Sequence, residues 1–584
     1  MNAMFGWCLL MAVGMTSEIE KGVSLSLAKS RRSAIKNVDY TLSFSLIAQG
    51  PIDGDVVIDF DLQKQVEEVV FDFNAPATSL KRVLLNDRPT DFQFKNGHLH
   101  VSAKEMESAR QSVSISFVAG DLSLNRNQDF MYTLLVPDRA SSVFPCFDQP
   151  DLKGRFQLQL EMPKDWIACT NGPRQRTIET ISNTIEGPRK RKLVTYDFTK
   201  PISTYLFAFA AGKFQRVTRE IDGREMTMYH REPNQSKVVA NADKIFETHR
   251  FALDWLEEYT GINYPFSKFD FVLIPSFQYG GMEHSGSIFY NADQLLLDES
   301  ATKDQKLRRA SLIAHETAHM WFGNLVTMKW FNDVWLKEVF ANFMAAKIVH
   351  PSFPEINHRL GFLWNHHPSA YGEDRSQGTH PIQQQLKNLK DAGTLYGRII
   401  YQKAPVVMRQ LETMVGELAF RDGIREYLRR FSFGNAVWDD LVEILDAKSD
   451  VDLRSWSDAW VKESGTPVVT SRIVDQAIGK TIKIQQLNRT EREKYWTQQV
   501  DIKVVLSNEI VLESRVTISD SQDEIELKKF PSEYDFYLVN GSELGYGYFQ
   551  LEPQCRFIHC NPSCTAQQII LYQPNMTQQP IPTL

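Results

Sequence analysis

The segment Arg309-Ala-Ser-Leu-Ile-Ala-His-Glu-Thr-Ala-His-Met-Trp-Phe322 is followed closely by Val334-Trp-Leu-Lys-Glu-Val-Phe-Ala-Asn-Phe-Met-Ala-Ala346, and both read as buried helices. In the first, His315 and His319 stand four residues apart, which puts both imidazoles on one helix face about a turn apart. Neutral imidazole suits zinc, which also wants a third protein ligand and an open position for water. Glu316 lies on the flank of the same turn, where its carboxylate can take a proton from that water. Leu312, Ile313, Ala314, Ala318, Trp321 and Phe322 bury the helix, so unpaired His and Glu side chains there would be costly. Glu338 is embedded among apolar neighbours in the second helix, and ligation explains a carboxylate in such a place. The expectation is one Zn2+ per chain on His315, His319 and Glu338, with Glu316 as the base.

Working outward, Asn241 to Tyr259 carries Ile245, Phe251, Leu253 and Trp255 at helical spacing, and Phe269-Asp-Phe-Val-Leu-Ile274 reads as a buried strand ending at Pro275. Residues 216–465 are therefore expected to form a mixed, mainly helical domain. Upstream, residues 21–215 alternate at period two in Val56-Val-Ile-Asp-Phe-Asp-Leu62, Ser112-Val-Ser-Ile-Ser-Phe117 and Phe156-Gln-Leu-Gln-Leu-Glu-Met162, the signature of an all-β domain. Downstream, residues 466–551 return to strands, among them Thr481–Ile484, Val500–Leu506, Ile510–Leu512 and Tyr537–Val539, with the length and turn spacing of a small β-sandwich. Residues 552–584, rich in Gln, Pro and Cys, read as an irregular tail. The expected fold class is multidomain α+β.

Composition bounds the function. A chain of 584 residues is too long for one core. Its 42% hydrophobic and 23% charged residues are those of a globular protein. A net charge of -7 argues against nucleic acid as partner, which normally wants a basic face. Six cysteines are too few for a disulfide framework: Cys8, Cys146 and Cys169 are scattered, and Cys555, Cys560 and Cys564 with His559 match no standard zinc spacing. The apolar run Ala3 to Met15, in the leader-like segment 1–20, is too short to span a bilayer and about right for a signal-peptide core. No Lys or Arg precedes it and no clean cleavage site follows, which leaves a periplasmic or secreted location and a cytoplasmic one both open. No integral membrane span is expected, and the oligomeric state stays open.

Eighteen residues separate His319 from Glu338, with Asn324-Leu-Val-Thr327 and Trp330-Phe-Asn-Asp-Val-Trp-Leu336 between them. With that spacing, the segment resembles the aminopeptidase N family of zinc metallopeptidases, which also includes leukotriene hydrolase. Gly280-Gly281-Met282-Glu283-His284 resembles the family's glycine, variable, Met-Glu-Asn motif, and Tyr401 in Ile399-Ile-Tyr-Gln-Lys-Ala-Pro405 resembles its Tyr-x-Lys-Gly segment. Val143-Phe-Pro-Cys-Phe-Asp-Gln-Pro150, Ser203-Thr-Tyr-Leu-Phe-Ala-Phe209 and Tyr259-Thr-Gly-Ile-Asn-Tyr-Pro265 extend the likeness over roughly Gly22 to Leu551.

The resemblance implies a saddle-like N-terminal β domain and a thermolysin-like catalytic domain. It implies peptide substrates with free N-termini, whose α-ammonium Glu283 would hold while Gly280, Gly281, Met282 and His284 line the peptide's path. Tyr401 would donate to the oxyanion, with Tyr396 as fallback. Four departures stand out. His284 replaces the usual Asn, and His titrates near neutrality. Leu134 and Val136 stand where many members place a polar pair, which implies an apolar first pocket. Lys337 and Val339 flank Glu338 where Asn and Gly are usual. The family's large helical C-terminal domain has no counterpart in the sequence. An endopeptidase with the same zinc chemistry and a catalytically weak, zinc-stabilised peptide-binding protein are the alternatives.

Overall fold

The computed structural model describes residues 19–551 apart from 105, 108, 185–186, 476–479, 488–494, 508 and 527–529. The leader-like segment up to residue 18 and the Cys-containing tail from 552 lie outside the described residues.

The first β region is organised by alternation. Strand Ile35–Ser45 pairs antiparallel with Asp53–Leu62 (Tyr40 opposite Ile58) and parallel with Gly154–Pro163 (Tyr40 opposite Phe156), at the centre of an eight-stranded sheet. Every second residue goes inward: Val56, Ile58, Phe60 and Leu62 on one strand, and Phe156, Leu158, Leu160 and Met162 on another, are buried. A four-stranded sheet contains Phe130–Thr133 and Phe209–Gly212, whose residues are all buried, so these strands show no alternation.

One element departs from the all-β expectation. Leu25–Ala34 is a helix, capped by Ser24, whose hydroxyl accepts from the Leu27 amide at 3.2 Å. It buries Ala28, Arg31 and Ala34, so it presents no apolar stripe to a sequence reading. Its contribution is Arg31, which makes a two-pronged ion pair with Asp72 at 2.6 and 2.7 Å. Asp72 also meets His98 Nδ1 at 2.8 Å and accepts from the Asp148 amide at 2.8 Å. The Phe-Pro-Cys-Phe-Asp-Gln-Pro segment is thereby tied to the sheet. Burial alone would raise the Asp72 carboxyl, but Arg31 and His98 hold it down to about 2.

The middle region has a five-stranded sheet, with Gly281–Met282 as the edge strand beside Ser287–Asn291. Helix Gln235–Thr260 starts at an Asn234 cap and ends at Gly261, whose φ of 65° is the left-handed conformation that glycine adopts freely. Helix Lys303–Ala318 opens on a capping box between Thr302 and Gln305 and packs along Val334–Val349.

Strands from Val468 onward form a four-stranded and a three-stranded sheet around Val469, Ile482, Ile484, Val500, Ile502 and Val504. They dock on the helices through polar contacts. Tyr546 donates to Asp374 at 2.9 Å, beside the Lys403 that Asp374 also pairs with inside the helical region, and Arg359 pairs with Glu543 at 2.6 Å. The whole is a multidomain α+β fold. Among the described residues, no helix is long and apolar enough to cross a membrane.

The Asp72 cluster generates a stability prediction. Its folded-state carboxyl, at about 2, lies below the ordinary 3.8, so its stabilisation is present above about pH 4 and is lost as pH falls toward 2. Asp72→Asn leaves Arg31 buried without its counter-ion and should cost about 3–5 kcal/mol at pH 7. In urea unfolding the gap between the two proteins should narrow at pH 3. A loss under about 1 kcal/mol at pH 7 would mean that Arg31 is satisfied elsewhere.

Candidate active site

Two helices, the first charged at its start and buried in its last turns, the second apolar almost all round, bring the candidate residues together. On Lys303–Ala318, Ile313, Ala314, Thr317 and Ala318 pack inward, and His315 and Glu316 occupy the last turn. His319 caps that helix, and the chain then turns through buried Met320, Trp321 and Phe322. On Val334–Val349, Trp335, Leu336, Val339, Phe340, Ala341 and Met344 are all buried. Lys337 and Glu338 are its two charged exceptions at the site, and both are buried as well.

The hydrogen bonds of the two histidines fix their protons. His315 Nδ1 lies 3.0 Å from Asn342 Oδ1, and His319 Nδ1 lies 2.9 Å from the Phe322 carbonyl. Both acceptors need a donor, so each neutral ring carries its proton on Nδ1 and leaves Nε2 bare. The two Nε2 atoms face each other at 3.1 Å, and Glu338 Oε2 is 3.8 Å from His315 Nε2. Two lone pairs and a carboxylate at this separation repel unless a cation lies among them, so the donor set fits a metal ion. The ligating atoms of His315, His319 and Glu338 all lie within 4.8 Å of one another. Burial first, then the neighbouring His319, pushes the His315 ring down to about 4, in favour of the neutral imidazole.

Three carboxylates surround these rings. Burial, reinforced by Glu283 and Glu338, pushes Glu316 well above the usual carboxylate range, and its buried Oε2 has no hydrogen-bond partner in the structure. Glu283 behaves oppositely. Burial would raise it, but Lys337, at 2.5 Å, holds it well below the usual range. Lys337 Nζ also lies 2.9 Å from Glu338 Oε1.

Gly281 lets this arrangement close up. A Cβ there would sit 2.4 Å from Glu316 Oε1, so any side chain would displace the carboxylate. The loop after Gly281–Met282 is held by Asn324, whose Nδ2 donates to the Glu283 carbonyl at 2.7 Å and to Ser285 Oγ at 3.0 Å. The residues face a cavity of about 1290 Å³. Its walls include Gly280, Gly281, Met282, Glu283, Glu316, Tyr396 and Tyr401, together with Val136 and residues of helix His358–Asp374.

His284 is placed differently from its motif neighbours. It is fully buried, is not among the cavity-lining residues and packs edge-on against Phe289 at 4.5 Å. Burial drives its ring down to about 3, well below the ordinary imidazole value. The two tyrosines lie with ring centroids 6.4 Å apart, and burial raises both phenols, so both carry their protons. Tyr401 sits in the π-helical turn Ile399–Lys403, which Lys403 anchors by donating to the Gly465 carbonyl at 2.8 Å.

Three contacts at this site went unread in the sequence. Asn342 orients His315, and its position four residues after Glu338 on one helix face was the available signal. Asn324 holds the loop, and Lys337 pairs with Glu283, 54 residues away along the chain; no local pattern announces either contact.

Comparison with known proteins gives this constellation a family. Residues 245–455 match the Peptidase family M1 domain, and residues 36–206 match the Peptidase M1 N-terminal domain. The chain is 36% identical over 332 residues to a puromycin-sensitive aminopeptidase of Caenorhabditis elegans, covering 56% of this chain and 34% of that protein. It is 35% identical over 359 residues to an aminopeptidase N of Streptomyces lividans, covering 60% and 40%. It is 31% identical over 423 residues to a leucyl aminopeptidase of Saccharolobus solfataricus, covering 69% and 51%. The chain thus spans between a third and about half of the length of these relatives. With both domain models matched in order along one chain, and with the motifs of the aminopeptidase N family in the second, the protein belongs to peptidase family M1.

Proposed function

We propose that this protein is a zinc-dependent aminopeptidase that hydrolyses the first peptide bond of peptides with free N-termini. The observation that carries the reading is the pair of bare Nε2 atoms 3.1 Å apart beside Glu338, in the cavity that Glu283 also lines. Two imidazoles and a carboxylate are a zinc ligand set that leaves one position open. His315, His319 and Glu338 would hold the ion, which would supply an acidified water and a Lewis acid for the scissile carbonyl.

The other roles belong to the chain itself. Glu316 is poised to accept a proton, because it lines the cavity beside the two rings and its buried Oε2 has no hydrogen-bond partner in the structure. It can pass that proton on to the leaving amine. The Gly281–Met282 edge offers unpaired backbone to an extended peptide, as in β-strand addition. Glu283 offers an anion to the peptide's α-ammonium, which brings only the first bond to the reacting centre. Tyr401, protonated and half-buried at the cavity wall, is the donor for the charge that develops on the carbonyl oxygen.

Three outcomes are expected. The purified chain should contain about one zinc, and a chelator should abolish hydrolysis of leucyl-4-nitroanilide until zinc is returned; activity that survives metal removal would rule the reading out. Glu316→Gln should retain zinc by elemental analysis yet lose about 10²–10⁴-fold in kcat. If that variant stays active, another group is the base. Tyr401→Phe should lower kcat by about 10²–10³-fold with little change in KM, whereas a wild-type kcat would pass the role to Tyr396.

A further inference from the structure

Glu283 already has an ammonium on it. Lys337 Nζ lies 2.5 Å from Glu283 Oε1 and 2.9 Å from Glu338 Oε1, with its side chain only 6% exposed. The Tyr205 ring, 5.7 Å from Nζ, closes one side, and Lys337 itself borders the cavity. A substrate α-ammonium that sought Glu283 would have to share one carboxylate with a fixed cation. Two like charges a few ångströms apart in a buried site repel strongly. An uncharged amino-terminal group meets no such repulsion. Lys337 has three N–H donors and gives two to carboxylates, so a third remains for a neutral acceptor such as an amide carbonyl.

We propose that Lys337 is a specificity-determining residue whose ammonium occupies the Glu283 carboxylate that a substrate's α-ammonium would use, so that the site accepts peptides with an uncharged, acylated amino terminus alongside free ones. The proposal rests on reading Glu283 as the amino-terminus anchor and deepens it: the anchor is present but already neutralised from within. The sequence alone shows Lys337 only as an unusual neighbour of Glu338. Its position on Glu283 comes from the packing of helix Val334–Val349 against the loop that follows Gly281–Met282.

The test compares two compounds that differ in the charge on nitrogen, leucinol and N-acetylleucinol, titrated calorimetrically into the zinc-loaded protein. The wild type should bind leucinol less than about tenfold more tightly than its acetylated partner; a larger preference overturns the proposal without the need for any variant. In Lys337→Asn and Lys337→Gln, each checked by its melting profile, the preference for leucinol should rise by about tenfold or more, and a smaller rise likewise overturns it. The KM ratio of leucyl- to N-acetylleucyl-4-nitroanilide should move in the same direction. Absence of metal-dependent hydrolysis of both anilides would instead defeat the peptidase reading, whereas the calorimetric ratios report on Lys337 without turnover.

Discussion

The arrangement depends on the packing of helix Val334–Val349 along helix Lys303–Ala318, which carries ionisable groups into a largely buried cavity wall. His315, Glu316, His319, Lys337 and Glu338 would each be costly there alone. Together they compensate one another. The rings turn their protons outward to Asn342 and the Phe322 carbonyl, and present bare nitrogens to Glu338. Lys337 balances the two carboxylates nearest to it. Hydrophobic packing fixes the geometry, and that geometry concentrates charge at the cavity wall.

The rest of the fold serves that wall. The Gly281–Met282 edge approaches Glu316 as closely as a residue without Cβ allows, and Asn324 holds the loop that follows. The turn that carries Tyr401 is secured from the opposite side, where Lys403 reaches Asp374 and Gly465 at the junction with the last β region. The Arg31–Asp72 cluster does comparable work further away, pinning Asp148 and Gln149 beside the first sheet.

Much of this was legible in the sequence, for physical reasons that differ by residue. The three β and helical regions announced themselves through period-two and period-3.6 patterns, because burial selects side chains at those spacings. His315, Glu316 and His319 were legible because a helix turns their spacing directly into proximity. Glu338 was legible as a charge in an apolar helix. Lys337 had the same signal, yet its meaning lies in Glu283, and a contact across 54 residues leaves no local trace. Helix Leu25–Ala34 was hidden because its inward face is Ala and Arg. His284 looked like a substrate contact by its place in the motif, whereas its side chain packs behind the wall on Phe289.

X-ray absorption at the zinc edge of the purified protein tests the central claim most directly, because it reads the ligand atoms themselves. A first shell of nitrogen and oxygen at about 2.0–2.2 Å, with the outer-shell scattering of two imidazoles, is the result predicted from His315, His319 and Glu338. A shell containing sulfur at about 2.3 Å, or zinc without imidazole scattering, would contradict the assignment and move the metal away from these two helices.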